Sequence, residues 1–245
     1  METILTTTGI GFAVGVLGTG VGGLSGFLID NPSKRFLSFI LGLSSGLMLA
    51  IICFDLLPEA FELSQLWVGI VGVVFGVMMT ILTDEVLSSR MGVHDHGEQS
   101  FAKTGILLGL GVAMHNFPEG LAIGSGFMAT KALGVGISIV IALHNVPEGI
   151  SMAAPMRIGG ISKIRAFLYT VLAGVPMGLG AMVGALLGEI SPNLIAFSLA
   201  FAGGTMLYIT CDELIPKSKD LHYGRTASFG MLIGFVLGVL IAKQF

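Results

Sequence analysis

Long apolar runs alternate with short polar breaks along the whole chain. A hydrocarbon core of about 30 Å takes about 20 apolar residues as helix. Runs of that length lie near 5–29, 36–57, 66–87, 104–128, 133–154, 165–188, 193–212 and 226–243. The breaks are turn-like: "DNPSKR" at 30–35, "HDHGEQS" at 94–100, "MRIGGISK" at 156–163, "SPN" at 191–193 and "PKSKDLHYGR" at 216–225. The pattern predicts an all-α polytopic membrane protein, with eight transmembrane helices forming one unit over residues 1–245.

Composition removes the soluble alternative. Charged residues make up 11% of the chain and hydrophobic ones 53%, whereas soluble domains average about 25% charged. Glycine is abundant, with 37 residues. Gly180, Gly184 and Gly188 recur every four residues, as do Gly230, Gly234 and Gly238. That spacing lets helix backbones approach closely in lipid. A net charge of −3 without a long basic run excludes a nucleic-acid surface. Cys53 and Cys211 give no disulfide framework. The first span has neither a basic leader nor a small-residue cleavage site, so it is expected to remain in place.

The basic residues orient the spans. Lys34 and Arg35, Arg90 and Lys103, Arg157, Lys163 and Arg165, and Lys217, Lys219 and Arg225 all fall in alternate breaks. Only Lys131 and Lys243 fall on the other side. Positive charge stays in the cytosol, so both termini are expected outside. The chain also repeats itself. "GLMLAIICFDLLP" at 46–58 matches "GTMLYITCDELIP" at 204–216 without a gap. Those spans run in opposite directions, which is the mark of an inverted repeat. The expected plan is three helices, a central pair, and three helices.

The central pair carries the chemistry. "HNFPEG" occupies 115–120 and "HNVPEG" occupies 144–149. Residues four apart share a helix face, so His115 neighbours Glu119 and His144 neighbours Glu148. Each motif lies roughly 17 Å below the turn between the two spans at 1.5 Å per helical residue, close to the midplane. Asn116 and Asn145 sit one position further along. Ionisable groups at that depth cost about 2.5–3.5 kcal/mol each on insertion scales, so they need partners. A divalent cation satisfies imidazole and carboxylate together. A hydrogen-bonded knot between helices and a proton relay are the competing readings. Pro118 and Pro147 leave the carbonyls of Met114 and Leu143 without their helical donors, predicting kinks and free oxygens beside the motifs.

Acids mark both ends of such a path. Asp55 and Glu59 lie at the outer end of span two, and Asp212 and Glu213 at the inner end of span seven. Carboxylates there would concentrate cations. The cytosolic loop offers His94, Asp95, His96 and Glu98 as candidate metal ligands.

With the paired hexapeptides on spans four and five, the chain resembles the ZIP (Zrt/Irt-like) family of metal transporters, in particular its prokaryotic GufA-like branch. The resemblance covers essentially the whole chain. It implies uptake of a divalent metal, zinc first and Fe²⁺, Mn²⁺, Co²⁺ or Cd²⁺ beside it, across a prokaryotic plasma membrane. The metal would be cargo, with no cofactor; a second copy of the chain is a candidate partner besides the lipid bilayer. The implied ligand set is His115, Asn116, Glu119, His144, Asn145 and Glu148. Met48 falls where some relatives supply a thioether. One departure stands out. Relatives with a second metal carry a Glu on span six, where this chain reads "AGVPMGLGAMVG", with Pro176 or Met177 in that place.

Two other functions compete. One is a proton-coupled carrier of a non-metal substrate. The other is a membrane metalloenzyme, although no H-E-x-x-H occurs. No G-x-x-x-x-G-K-[ST] loop occurs either, which argues against an ATP-driven pump.

Overall fold

The computed structural model describes residues 2–28, 33–91, 101–158 and 160–244. Eight long helices fill them: α1 (Glu2–Leu28), α2 (Lys34–Leu63), α3 (Leu66–Met91), α4 (Phe101–Ala129), α5 (Lys131–Ile158), α6 (Lys163–Ile190), α7 (Pro192–Leu221) and α8 (Thr226–Gln244). Among the described residues there is no strand. Seven of the helices are long and apolar enough to cross a membrane. The eighth, α4, has 29 residues and carries the first hexapeptide. The chain is an all-α, multi-pass membrane protein. His94, Asp95, His96 and Glu98 lie outside the described residues.

The internal repeat extends beyond the matched letters. Ser33 caps α2 by accepting from the Phe36 N–H at 3.1 Å, and Ser191 caps α7 by accepting from the Leu194 N–H at 3.3 Å. Midway, each helix opens into one π turn, at Ile52–Leu56 and at Thr210–Leu214. The two π turns occupy the same register of the repeat. Their cause is local. Pro58 and Pro216 follow, and a proline ring clashes with the carbonyl four residues back. A wider i→i+5 turn makes room for it. The Leu57 N–H therefore bonds the Ile52 carbonyl, and the Ile215 N–H bonds the Thr210 carbonyl. Both helices then continue past the apolar runs 36–57 and 193–212. Each π turn holds one mouth acid at the matching position, Asp55 in α2 and Glu213 in α7.

Packing follows the same symmetry. α1, α4, α5 and α6 form one group, and α2, α3, α7 and α8 form another. Within the first, α1 lies on α5 as α6 lies on α4; within the second, α2 lies on α8 as α7 lies on α3. Between the groups, α5 meets α2 as α4 meets α7. Buried apolar side chains fill the seam, among them Met48, Ile51 and Ile52 from α2, Ile123 from α4, Ile137 and Ile141 from α5, and Leu199 from α7.

The hexapeptide glycines set how closely the helices approach. A Cβ on Gly120 would strike the Met177 carbonyl of α6, and one on Gly149 would strike the Thr19 carbonyl of α1. In both cases the obstacle is backbone, which cannot turn aside. Gly120→Ala and Gly149→Ala are each expected to destabilise the protein by about 1–3 kcal/mol, the usual range for overpacking. Thermal unfolding in detergent checks this, and a wild-type melting curve for both would contradict it.

Candidate metal centre

The hairpin of α4 and α5 brings the motifs together. Thr130 alone separates the two helices. Its N–H closes α4 onto the Gly126 carbonyl at 2.9 Å, and its hydroxyl accepts from the Leu133 N–H of α5 at 3.1 Å. From this tight turn α4 and α5 run as continuous helix through Pro118, Pro147 and Pro155.

Three side chains meet at the centre. The His144 Nε2 lies 3.1 Å from the Glu148 Oε1 and 3.4 Å from the Glu119 Oε1. All three are buried, with side-chain exposures of 1%, 5% and 2%. Their candidate ligand atoms lie within 4.8 Å of one another, close enough to share one ion. The Nδ1 face of the same ring is held from the other helix group by Ser44 Oγ at 2.5 Å.

The two asparagines turn their amide donors away from this point. Asn116 Nδ2 donates to the Ala173 carbonyl of α6 at 2.7 Å, and Asn145 Nδ2 faces the Met177 sulfur at 3.8 Å. Their Oδ1 atoms, with the second oxygens of Glu119 and Glu148, are buried and have no hydrogen-bond partner. Buried carboxylate oxygens without donors, as on Glu119 and Glu148, suit a cation. A divalent ion would also cancel the charge of two ionised carboxylates. Imidazole with carboxylate favours borderline first-row metals over Mg²⁺ or Ca²⁺, which prefer all-oxygen shells.

His115 does not join this trio. It belongs to a second group with Asp84 of α3 and Glu213 of α7, whose ligand atoms also lie within 4.8 Å of one another. The His115 Nε2 is 3.7 Å from the Glu213 Oε1. This group is more open, with the His115 side chain 12% and Glu213 35% exposed. Asp212 beside it is exposed and outside the group. Asp84 was not singled out in the sequence, because "TDE" near the end of a span reads as ordinary solvation. Ser44 gave no sequence signal beyond being a polar residue in an apolar run.

The other candidates spread along the axis. Asp55 is buried and its Oδ2 lacks a partner. With Glu59, Glu62 and Thr130 it lines a cavity of about 230 Å³ at the end of the bundle that holds the α4–α5 turn. Along α2, Asp55 is eleven residues beyond Ser44, roughly 16 Å at 1.5 Å per residue. Ile51, Ile52 and Leu56 of α2, Ile123 of α4 and Ile137 and Ile141 of α5 fill that interval, and all are fully buried. Met48 packs in the same apolar cluster, as does Met177. The side of the trio toward Asp55 is thus sealed by hydrocarbon, while side-chain exposure rises from Glu148 to His115 to Glu213.

Comparison with known proteins gives one consistent result. The family model "ZIP Zinc transporter" matches residues 94–242. The chain is 32% identical to a zinc transporter ZupT of Akkermansia muciniphila over 92% of each chain. It is 31% identical to that of Streptococcus mutans over 97% of each, and 35% identical to that of Escherichia coli over 88% of each.

Proposed function

Because this chain belongs to the ZIP zinc transporter family, we propose that Glu119, His144 and Glu148 hold its cargo ion midway along an inward path. The chain is a multi-pass membrane transporter of divalent metal, zinc in the first place, and not an enzyme. That membership sets aside the non-metal carrier and the metalloenzyme. The eight helices act as one transport unit over residues 1–245.

The observation that carries the central assignment is the buried trio itself. Two carboxylates face one imidazole edge, and the second oxygen of each carboxylate is buried without a donor. Asn116 and Asn145 contribute further oxygens. Asp55 and Glu59 draw cations to the outer cavity, as clustered acid does. His115, Asp84 and Glu213 receive the ion on the inner side. Passage from the outer cavity to the trio needs the apolar layer to part, which a shift of one helix group against the other accomplishes. Fe²⁺, Mn²⁺, Co²⁺ and Cd²⁺ fit the same donor set with different strengths. The ten basic residues in alternate breaks support a cytosolic end for the Glu213 side of the path, and the direction is uptake into the cytosol. The bacterial relatives support a prokaryotic plasma membrane as the location.

Purified full-length protein in liposomes should accumulate labelled Zn²⁺, and a His144→Ala/Glu148→Ala double variant should not. Normal uptake by a well-folded double variant would sink the assignment. A pH dependence follows from the same donors. A metal takes the His144 lone pair and ionised carboxylates, so protons compete for every ligand. Zn²⁺ affinity should therefore fall steadily as pH is lowered. An affinity that stays flat or rises in acid would contradict these ligands.

A further inference from the structure

We propose that Ser44 is a positioning residue for the transported ion, acting across the helix seam by fixing the ring of His144. The inference rests on reading Glu119, His144 and Glu148 as the metal centre.

The geometry is specific. Ser44 belongs to α2 and His144 to α5, and these helices lie in different packing groups. Both side chains are fully buried, and the Ser44 hydroxyl is 2.5 Å from His144 Nδ1. The opposite ring nitrogen faces Glu119 and Glu148. A histidine binds metal through a nitrogen lone pair, so Nε2 can ligate only when the ring proton sits on Nδ1. That proton needs an acceptor, and the Ser44 oxygen is the group placed to take it. When no metal is held, the same hydroxyl can turn and donate to Nδ1, since serine offers both a donor and acceptors. An apolar residue of similar size could do neither.

The internal repeat supplies a natural comparison. In the register that aligns 46–58 with 204–216, Ser44 corresponds to Ala202. Each histidine opens a hexapeptide that differs from the other only at its third position, Phe117 against Val146. The one served by the serine copy, His144, sits inside the buried trio. His115, whose corresponding position is alanine, joins Asp84 and Glu213 instead. Beside the hydroxyl, the two histidines differ in the acids that meet them, since His115 lies against Glu213 and His144 lies against Glu119 and Glu148.

The contact also has a consequence for release. It bridges the two groups, so any shift of α5 past α2 breaks it. His144 then loses its orienting partner, and the ion is held less tightly. The site is strongest in the arrangement where Ser44 and His144 meet.

The experiment is a double-mutant cycle on the purified full chain in detergent, reading Zn²⁺ affinity by chelator competition. Loss of an outer partner of a ligating histidine typically costs about 10–100-fold in metal affinity, and Ser44→Ala should fall in that range. Ser44→Thr, which keeps the hydroxyl, should recover most of it. The decisive reading is Ser44→Ala made in a His144→Gln background, where it should have no further effect. An equal loss in that background, or wild-type affinity in Ser44→Ala alone, overturns the role of Ser44. If Ser44→Ala is silent and Ser44→Thr is harmful, the position serves only packing, and the proposal fails. If His144→Gln itself leaves Zn²⁺ affinity unchanged, it is the metal centre that fails, and the two failures are distinguishable.

Discussion

Zn²⁺ uptake by Glu148→Gln should be lowered on the order of 100-fold, with the protein still folded. The substitution keeps the shape of the side chain and removes one negative charge. In the wild type, two carboxylates and one divalent ion sum to zero at the depth of the trio. In the variant the loaded site carries a net positive charge. An unbalanced charge at the helix centre costs about 2.5–3.5 kcal/mol on insertion scales, and about 1.4 kcal/mol is a factor of ten. Glu148→Ala should be at least as severe, since it also removes a ligand oxygen. Glu119→Gln should behave alike, because its Oε1 lies on the same nitrogen of His144 at 3.4 Å. Initial uptake rates in liposomes, normalised to folded protein, check both. Near-wild-type rates in either variant would mean that the ion bypasses the trio.

A second large effect is expected on the inner side, of a different kind. Asp84→Ala/Glu213→Ala should slow turnover about tenfold or more while leaving Zn²⁺ affinity at the trio unchanged. The physical reason is that acid lining a polar cleft raises local cation concentration and passage rates by about 10–10³. These two acids and His115 form the more exposed of the two groups. Without them an ion leaving the trio meets no favourable stop. Equilibrium binding and single-cycle efflux separate the two quantities. Equal loss of affinity and turnover would mean that the two groups act as one site.

Much of this was readable from the residues. Apolar runs of helical length and their polar breaks placed the helices, because in lipid a helix satisfies its backbone within one segment. The matching of 46–58 with 204–216 pointed to Asp55 and Glu213 as counterparts, and the structure places both in equivalent π turns. The π turns themselves were hidden. Their cue is Pro58 and Pro216, but a proline near a helix end reads equally well as a terminus.

The site was legible in part. Equal spacing from the turn brings the two hexapeptides to one depth, and Glu119, His144 and Glu148 do meet. Depth alone does not fix which way a side chain faces. His115 and His144 open nearly identical hexapeptides, yet they join different groups, His144 meeting Ser44 of α2 and His115 meeting Glu213 of α7. Such choices are made between helices distant in the chain. Asp84 is the same case, since only the packing of α3, α4 and α7 shows that it faces His115. The glycines of the hexapeptides became intelligible only once Met177 and Thr19 were seen against them.

The central claim is that one ion is held by Glu119, His144 and Glu148. Anomalous diffraction at the zinc edge from metal-soaked crystals tests it most directly. The account predicts a peak among these side chains, about 2.0–2.2 Å from His144 Nε2 and from one oxygen of each glutamate. Peaks confined to the Asp84, His115 and Glu213 group or to the outer cavity, with none at the trio under saturating Zn²⁺, would contradict it.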